Sequence, residues 1–450
     1  MSEIIRIKKG LNIRLKGKAE KIFEKAGFSG SFAVKPTDFH GLWPKLDVKE
    51  GDNVKAGNSL FHDKYRPDIL FTSPVSGKIK EINRGERRKI LEVVIDPDKS
   101  TDYIDFGRAD PGNLSREQII DTMMKSGTWP YLRQRPYSII ANPDDKPKSI
   151  FISAFDTSPL GPDYDFIMEG MDKDFQTGIQ ALSRLTDGKI HLNINGDYPA
   201  HPVFSKAEGV QINRFTGPHP AGNVGIQIHH IDPLNKGDIV WFVNPQDLVI
   251  IGRLFNTGIY DASKVVALTG SEVLKPRYFK TVAGVSIEVM VLNNVNQGNL
   301  RYISGNVLTG EKITPNGYLG FYDSQVSVIP EGDHYELLGW ASPGFNKFSA
   351  NRSFWSWLRP NKEYVIDTNL HGGKRAYVMT GQYEKVVPMD IYPLQLVKSI
   401  IIGDIDLMEQ LGIYEVSEED FALCDFVCTS KTDVQSIIRR GLNMIRKEMA

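Results

Sequence analysis

The sequence predicts a multidomain protein of mixed class, in which β-rich and α/β domains precede a mainly helical C-terminal region. Three observations support this prediction. A chain of 450 residues is long enough for about three domains. Near Leu114 the pattern changes from short β runs with turns to alternating strands and helices. Beyond residue 390, apolar side chains recur at helical spacing.

These changes of pattern divide the chain into four parts. Residues 1–100 are predicted as a β domain, and residues 101–260 as an α/β domain. Residues 261–335 are predicted as a small β-rich domain, and residues 336–450 as the mainly helical region.

Charge and composition exclude several classes of protein. The formal net charge of −1 gives no long-range attraction to nucleic acid or anionic lipid. Only two cysteines occur, Cys424 and Cys428, which excludes a disulfide framework and favours a reducing compartment. The first residues lack the apolar core of a signal peptide, and no apolar run is long enough for a membrane helix. We therefore expect a cytoplasmic protein with no direct membrane span.

The N-terminal part carries two linked turn-and-strand patterns. Glu50–Phe61 reads EGDxVxxGxxLF and Ser73–Ile79 reads SPVSGxI, a combination that resembles the biotinyl/lipoyl-like barrel-sandwich fold. Carrier proteins of that fold bear a modified lysine in a hairpin turn. The turn predicted here, Tyr65–Asp68, has no lysine, and nearby Lys64 lacks the MKM or DKA neighbours of a carrier lysine, so we expect the fold without the prosthetic group.

The second part reads as strands alternating with helices. A capping box at Ser115 begins a helix that Gly127 ends, and Asn244-Pro245 begins another that Gly258 ends. Between them we predict, in order, a strand, a helix and two further strands in a largely parallel sheet: Lys148–Phe155, Asp174–Thr186, Lys189–Ile194 and Asp238–Val243. The first strand is followed by Asp156–Pro162, which lacks the glycines that cradle a pyrophosphate. Nucleotide binding by this domain is therefore disfavoured.

The third and fourth parts differ in periodicity. Short β runs are predicted at Val265–Leu268, Val285–Val291, Arg301–Leu308 and Gly317–Ile329. The fourth part instead has helical stripes, one beginning at Leu394 and one at Val434. Cys424 and Cys428 are too few to hold an iron–sulfur cluster or a structural zinc ion, so we expect two reduced thiols.

The stretch Phe215–Asp232 is the candidate functional site. It contains three glycines, two prolines and three histidines: Gly217, Gly222, Gly225, Pro218, Pro220, His219, His229 and His230. Glycine permits close approach and proline stiffens a loop, which suits a ligand or partner site but also a loop that only positions a strand. Gly225–His229 is predicted as a strand, which would place His229 and His230 on opposite faces and exclude a shared metal. No nucleophile triad or carboxylate pair is apparent.

Ordered blocks over nearly the whole chain resemble the A subunit of the bacterial sodium-translocating NADH:quinone reductase. The blocks include IKKGLNIRLKGK at Ile7–Lys18, FTGPHPAGNVGIQIHHIDP at Phe215–Pro233, VVALTGSEVLKPR at Val265–Arg277, YLGFYDSQVSVIPEG at Tyr318–Gly332 and GDIDLMEQLGIYEVSEEDFALCDFVC at Gly403–Cys428. The same resemblance extends in fold to the flavin-binding subunit of complex I and to the C subunit of the Rnf complex.

This resemblance implies a fold. It implies that the α/β domain is Rossmann-like and that about Lys264–Pro330 is a β-grasp domain of the soluble-ligand-binding (SLBB) type. The relatives carry a glycine-rich flavin loop where this chain has Ser126–Leu132, with one glycine. Cys424 and Cys428 are similar to a remnant of the relatives' cluster-binding segment.

The resemblance also implies a function. The chain would be a peripheral subunit on the cytoplasmic side of the bacterial inner membrane, inactive when isolated. Its partners would be the other subunits, chiefly those in the membrane, and it would bind no cofactor and no nucleic acid. Other subunits would use NADH, flavins, iron–sulfur centres and quinone. Here Gly217, His219, Gly222, Gly225 and His229 would form a loop for quinone access or docking. The alternative is a purely structural assembly subunit without a ligand site.

Overall fold

A computed structural model of the chain describes residues 4–334, 336–339, 343–351 and 353–448. Tyr335, the last residue of the predicted third domain, lies outside the described residues.

The N-terminal part is built of short strands. They are β1 (Ile4–Arg6), β2 (Glu20–Lys25), β3 (Phe32–Val34), β4 (Pro44–Leu46), β5 (Asn53–Val54), β6 (Ser59–Asp63), β7 (Arg66–Thr72), β8 (Gly77–Arg84) and β9 (Ile90–Pro97). Strands β3, β9, β8 and β5 form one sheet and β4, β6 and β7 a second, with Leu60, Phe71 and Val93 buried in the core that they share. The hairpin turn between β6 and β7 is Lys64-Tyr65, so the predicted turn at Tyr65–Asp68 lies too far along the chain: β7 already begins at Arg66.

The first two strands belong to other sheets. Strand β1 pairs in parallel with a strand of the α/β domain, with Ile4 opposite Arg214. Strand β2 pairs in parallel with a strand of the third domain, with Phe23 opposite Tyr278. The first two strands of the N-terminal part therefore tie the later domains together.

The α/β domain follows the predicted alternation. Its elements are α1 (Arg116–Ser126), β10 (Arg133–Arg135), β11 (Ile139–Ile140), β12 (Ser149–Ser153), α2 (Tyr164–Ile167), α3 (Asp172–Ser183), β13 (Lys189–Asn195), α4 (Pro202–Ser205), β14 (Gln211–Thr216), α5 (Val224–Ile231), β15 (Val240–Val243) and α6 (Pro245–Thr257). The seven-stranded sheet has the order β1-β14-β13-β12-β15-β10-β11. Its first five strands are parallel, β10 pairs antiparallel with β15, and β11 pairs antiparallel with β10, which confirms a largely parallel sheet.

Helices cover both faces of this sheet because its central strand is apolar on both. On β12, Ile150 and Ile152 join the main core, whereas Phe151 packs on the opposite face beside Val224 and Ile228 of α5. On the main-core face α3 and α6 are packed so closely that a Cβ at Gly252 would lie 1.7 Å from the Asp174 carbonyl oxygen. The capping box at Ser115 and the left-handed terminations at Gly127 and Gly258 are confirmed.

The third part contains β16 (Ser263–Thr269), β17 (Arg277–Val282), α7 (Glu288–Val291), β18 (Leu300–Ser304), β19 (Glu311–Ile313) and β20 (Gln325–Pro330). These strands and β2 form a six-stranded sheet of order β19-β18-β20-β16-β17-β2. The predicted strand Val285–Val291 is wrong, since its second half is helix α7. Met290 and Val291 are both buried in the core. In a strand these two neighbours would point to opposite faces of the sheet.

The predicted mainly helical region is helical only in its second half: the described part of residues 336–392 contains no α-helix, and four α-helices follow it. They are α8 (Pro393–Ile402), α9 (Ile405–Gln410), α10 (Ala422–Val427) and α11 (Val434–Glu448). Leu396, Val397, Ile438 and Leu442 share a buried core with Ile226 of the α/β domain. No helix within the described residues has the length and apolar character to cross a membrane.

Candidate functional site

The candidate loop begins where β14 ends and is held there by the N-terminal segment. The backbone N–H of Ile7 donates to the carbonyl of Thr216 at 2.8 Å, which continues the pairing of β1 with β14. Gly217 has φ +131°, and a Cβ there would lie 2.2 Å from the Ile7 carbonyl oxygen. Gly217 is therefore required by close packing against the chain's own backbone.

His219 is enclosed by the same segment. Its backbone N–H donates to Asn12 Oδ1 at 2.9 Å, and its carbonyl accepts from the N–H of Leu11 at 2.8 Å. A Cβ at Gly10 would lie 2.1 Å from that carbonyl oxygen. Only 4% of His219 is exposed.

Burial keeps the His219 ring neutral, because desolvation lowers its pKa to about 4. Its Nδ1 lies 3.1 Å from the hydroxyl of Thr157, which accepts from the backbone N–H of Gly222 at 2.9 Å. The Thr157 hydroxyl has one hydrogen to donate and a second lone pair to accept with, so it can pair with Nδ1 of either neutral tautomer. His219 is a hydrogen-bonded, uncharged residue in the closed structure.

The other two glycines also permit close contacts. A Cβ at Gly222 would lie 2.7 Å from the backbone N of Thr157. A Cβ at Gly225 would lie 2.4 Å from the Asp420 carboxylate in the C-terminal region. The loop therefore contacts the segment after β12 on one side and the C-terminal region on the other.

The predicted strand Gly225–His229 is wrong, because these residues lie in helix α5, Val224–Ile231. Val224, Ile228 and Ile231 recur at helical spacing and pack on Phe151 and Phe242 of the sheet. This burial outweighs the preference of Val and Ile for strands. His229 and His230 consequently lie side by side, with ring centroids 5.2 Å apart.

The two histidines have different partners. His229 Nε2 accepts from the backbone N–H of Asp390 at 3.0 Å, so its proton lies on Nδ1 and is donated to Glu415 Oε2 at 2.7 Å. His230 Nδ1 contacts the carbonyl of Ile226 in its own helix at 2.9 Å. His229 therefore links α5 to the C-terminal region, and His230 does not.

Sequence reasoning missed the largest polar contact beside the loop. Arg135, fully buried, contacts Asp420 Oδ2 through Nη1 at 3.0 Å and Glu419 Oε1 through Nη2 at 2.6 Å. The amide of Asn223 also donates to the Glu419 carbonyl at 3.1 Å. Asp420 is the last residue of the Ser417 capping box, which the sequence shows. Its pairing with Arg135 has no signal in the local sequence pattern.

The carboxyl edge of the parallel sheet, where folds of this type hold ligands, is filled by the chain itself. Arg133 on β10 lies between the rings of Phe242 and Tyr322, 4.4 and 4.3 Å from their centroids. The Tyr322 hydroxyl donates to the Pro130 carbonyl at 2.8 Å, and the hydroxyls of Tyr131 and Tyr260 lie 2.9 Å apart. Burial raises the pKa of each of these three tyrosines well above its usual value.

The cysteines are buried thiols in the C-terminal region. Cys424 lies on α10 and Cys428 directly after it, and neither is in a disulfide. The Tyr383 hydroxyl donates to Cys428 Sγ at 3.1 Å. Across residues 4–334, 336–339, 343–351 and 353–448, no three His, Cys, Asp or Glu side chains are grouped to hold a metal ion.

Three sequence models of protein families match successive parts of the chain. The NqrA N-terminal barrel-sandwich hybrid domain matches residues 5–98, and the NqrA second alpha/beta domain matches residues 114–260. The NQRA C-terminal domain, an SLBB type, matches residues 265–314.

Full-length relatives agree with these matches. The A subunit of the Na(+)-translocating NADH-quinone reductase of Rhodopirellula baltica is 40% identical, over 99% of this chain and 98% of the relative. For the protein of the same name from Neisseria meningitidis serogroup A the identity is 41%, over 99% of this chain and 100% of the relative. Among solved structures, a NAD+-reducing [NiFe]-hydrogenase is 12% identical over 78% of this chain and 66% of that one, with a TM-score of 0.38.

Proposed function

Because this chain belongs to the family of A subunits of Na(+)-translocating NADH-quinone reductases, we propose that it is a peripheral subunit without a redox group of its own. In that complex, a sodium-pumping oxidoreductase, it docks on the membrane subunits at the cytoplasmic side of the bacterial inner membrane. Other subunits carry the electrons through flavins and iron–sulfur centres from NADH to quinone. The isolated chain has no activity.

The observation that carries the absence of a redox group is the filled carboxyl edge of the sheet. A flavin or dinucleotide there needs room for its rings and successive backbone N–H groups for its phosphates. At the carboxyl end of β15 the space is taken by Arg133, which lies between the rings of Phe242 and Tyr322. The segment after β12 has one glycine, Gly161, between Leu160 and Pro162. The residues present do not fit a nucleotide or flavin.

The proposal includes the ancestry of the two middle domains. The order of the parallel strands and the helices on both faces support a Rossmann-like origin for the α/β domain. The mixed sheet that carries the short helix α7 supports a β-grasp fold for the third domain.

The absorbance of the purified full chain tests the absence of a redox group. We expect no visible absorbance, before or after reduction with dithionite. A flavin or iron–sulfur spectrum in stoichiometric amount would contradict the proposal. Intact mass adds a check, since a mass above that of the sequence would indicate a covalent group.

The proposal extends to quinone access through the His219 loop. Its motivation is the reaction of the family together with the apolar and histidine character of Gly217–His230. Because His219 is 4% exposed, quinone would reach it only when the N-terminal segment moves away from the loop. Titration with a short-chain quinone tests this, and His219→Ala should abolish the binding. His62→Ala, which changes a histidine of the N-terminal domain, is the matched control. Absence of binding at sub-millimolar quinone would contradict the proposed quinone access through this loop.

The competing function, an assembly subunit without a ligand site, is favoured by the closure of this loop. His229 uses both ring nitrogens within the chain, and His219 is buried with its Nδ1 beside the Thr157 hydroxyl, so neither offers a ready contact to a ligand. Under this alternative, His219→Ala weakens the fold and leaves quinone affinity of the assembled complex unchanged.

A further inference from the structure

Exposed apolar side chains are concentrated in one stretch of the chain. Of the 22 large apolar side chains exposed in the described part of the chain, ten lie between Leu337 and Met379. Four of them, Phe345, Trp355, Trp357 and Leu358, are between 47% and 59% exposed within one loop. A cluster of large exposed apolar groups marks an interaction surface more often than scattered ones do.

The charge of this loop differs from that of the whole chain. Residues 343–362, which we name the aromatic-basic loop, contain Lys347, Arg352, Arg359 and Lys362 and no aspartate or glutamate. The whole chain has a net charge of −1. The loop also contains five aromatic residues, Phe345, Phe348, Phe354, Trp355 and Trp357.

The base of the loop is anchored to the fold. Tyr364 is buried two residues after the loop, beyond Glu363. Its N–H donates to the Arg14 carbonyl at 2.8 Å, and its carbonyl accepts from the Lys16 N–H at 2.9 Å. The ring of Phe348 packs on Tyr364 and on Phe426, with centroids 5.5 and 5.7 Å away. The loop therefore has a fixed position beside the N-terminal segment and the C-terminal region.

The outer part of the loop folds on itself and presents its rings to solvent. The N–H of Trp355 donates to the Pro343 carbonyl at 2.9 Å, which begins a short 3-10 turn over Trp355–Leu358. The rings of Phe345 and Trp355 pack edge to face at 5.6 Å. Lys362 Nζ donates to the Phe345 carbonyl at 3.0 Å, which places an ammonium group beside these rings.

We propose that the aromatic-basic loop contacts an anionic lipid bilayer, with its exposed aromatic rings at the headgroup level and the side chains of Arg359 and Lys362 against lipid phosphates. Tryptophan with neighbouring Lys or Arg is the composition that favours a membrane–water interface. Cations near an anionic leaflet gain attraction that a neutral surface does not give. The inference rests on the peripheral placement proposed above and names the surface that faces the membrane.

Charge complementarity favours lipid over the membrane subunits as the occupant. Cytoplasmic loops of membrane proteins carry an excess of Lys and Arg, which would repel a cationic loop. Anionic headgroups attract it. Docking on the membrane subunits would then use another surface of the chain.

Co-sedimentation of the full chain with vesicles tests the proposal. We expect binding to vesicles of phosphatidylethanolamine and phosphatidylglycerol that weakens as salt rises, and no binding to phosphatidylcholine alone. Arg359→Gln/Lys362→Gln should lower the partition coefficient about 30-fold, since each cation contributes about a factor of five. Trp355→Ser/Leu358→Ser should lower it roughly tenfold or more, since both side chains lose apolar burial.

Matched controls separate the effect of the loop from the general effect of removing exposed cations or rings elsewhere on the surface. Arg87→Gln/Arg88→Gln removes two cations from the exposed hairpin of the N-terminal domain, and Trp43→Ser/Tyr65→Ser removes two exposed rings. Trp43 and Tyr65 pack edge to face and Lys64 lies over the Tyr65 ring, so this control has similar ring-and-cation chemistry outside the loop. Neither control should change vesicle binding by more than about twofold, because the proposal places the lipid contact in the aromatic-basic loop. Circular dichroism of every variant checks that the fold is intact.

The outcomes are distinct. Equal binding to anionic and neutral vesicles, no binding to either, or equal loss in loop and control variants would overturn the proposal. If the chain does not bind vesicles but Trp355→Ser/Leu358→Ser prevents assembly with the membrane subunits, the loop is a protein contact and the lipid assignment is wrong. Failure of the unchanged chain to assemble with the membrane subunits would instead contradict the function proposed above.

Discussion

Arg135 and Asp420 form an ion pair in which neither side chain is exposed, and the pair joins the α/β domain to the C-terminal helical region. Nη1 of Arg135 lies 3.0 Å from Oδ2 of Asp420. A second carboxylate, Glu419, lies 2.6 Å from Nη2 of the same guanidinium. Two carboxylates and one guanidinium meet where the candidate loop contacts the C-terminal region.

Removal of Arg135 should be strongly destabilising. Arg135→Met leaves the Asp420 carboxylate buried without its cation, and we expect a loss of about 3–5 kcal/mol in the free energy of unfolding. Arg277→Met, which breaks a pair with the half-exposed Glu24, should cost less than about 1 kcal/mol. Addition of Asp420→Asn to Arg135→Met should restore part of the loss. Chemical unfolding monitored by circular dichroism measures all three, and equal losses at Arg135 and Arg277 would contradict the assignment.

The Gly225 position should not tolerate a methyl group. Gly225→Ala places a Cβ about where the Asp420 carboxylate lies, and we expect a loss of about 1–3 kcal/mol. Gly27→Ala is the matched control, because a Cβ there meets nothing within 4 Å. Limited proteolysis gives the direct measurement: Gly225→Ala should release the C-terminal region faster than the unchanged chain does. A release rate equal to that of Gly27→Ala would show that the contact is unimportant.

Protonation of His219 should contribute to acid sensitivity. Its pKa is about 4 in the fold and 6.5 in the unfolded chain, so the unfolded state binds the proton first as pH falls. The contribution to stability is complete above pH 6.5 and is lost toward pH 4. Between pH 7 and pH 5 the expected loss is about 2 kcal/mol.

His219→Gln isolates this contribution. The variant should show a smaller fall in unfolding free energy between pH 7 and pH 5 than the unchanged chain does. Thr157→Val controls for loss of the hydrogen bond, because it removes the hydroxyl partner and keeps the histidine. An identical pH dependence in His219→Gln and the unchanged chain would show that His219 does not titrate in this window.

Substitution of the two adjacent histidines, His229 and His230, should lower the free energy of unfolding by different amounts. His229→Ala removes hydrogen bonds to Glu415 and to the Asp390 backbone, and we expect a loss of about 1–2 kcal/mol with weaker docking of the C-terminal region. His230→Ala removes a contact within α5 only and should cost less than about 0.5 kcal/mol. Thermal unfolding of the two variants measures the difference. A larger effect at His230 would contradict the linking role of His229.

Local sequence signals predicted most of the elements but not the contacts at the candidate site. The capping box at Ser115 and the glycines at Gly127 and Gly258 fix helix ends through hydrogen bonds between residues close in sequence. Such signals are readable because their cause is local.

Helix α5 shows where local signals fail. Val224, Ile226 and Ile228 favour a strand by propensity, but packing on Phe151 and on the C-terminal core decides the structure. The partners of the loop, among them Asn12, Arg135 and Glu415, lie far away in sequence. Their roles follow from tertiary packing, which one sequence does not display.

The pairing of Ile4 with Arg214 has a consequence for synthesis. The first strand leaves the ribosome long before its partner, and at about 5–20 residues per second the delay is roughly 10–40 seconds. For most of that time the strands of the two N-terminal sheets have already been synthesised, whereas β1, the edge strand of the seven-stranded sheet, remains unpaired. A bulky N-terminal fusion would therefore hinder completion of the α/β domain, which follows in sequence, more than that of the β domain beside the fusion.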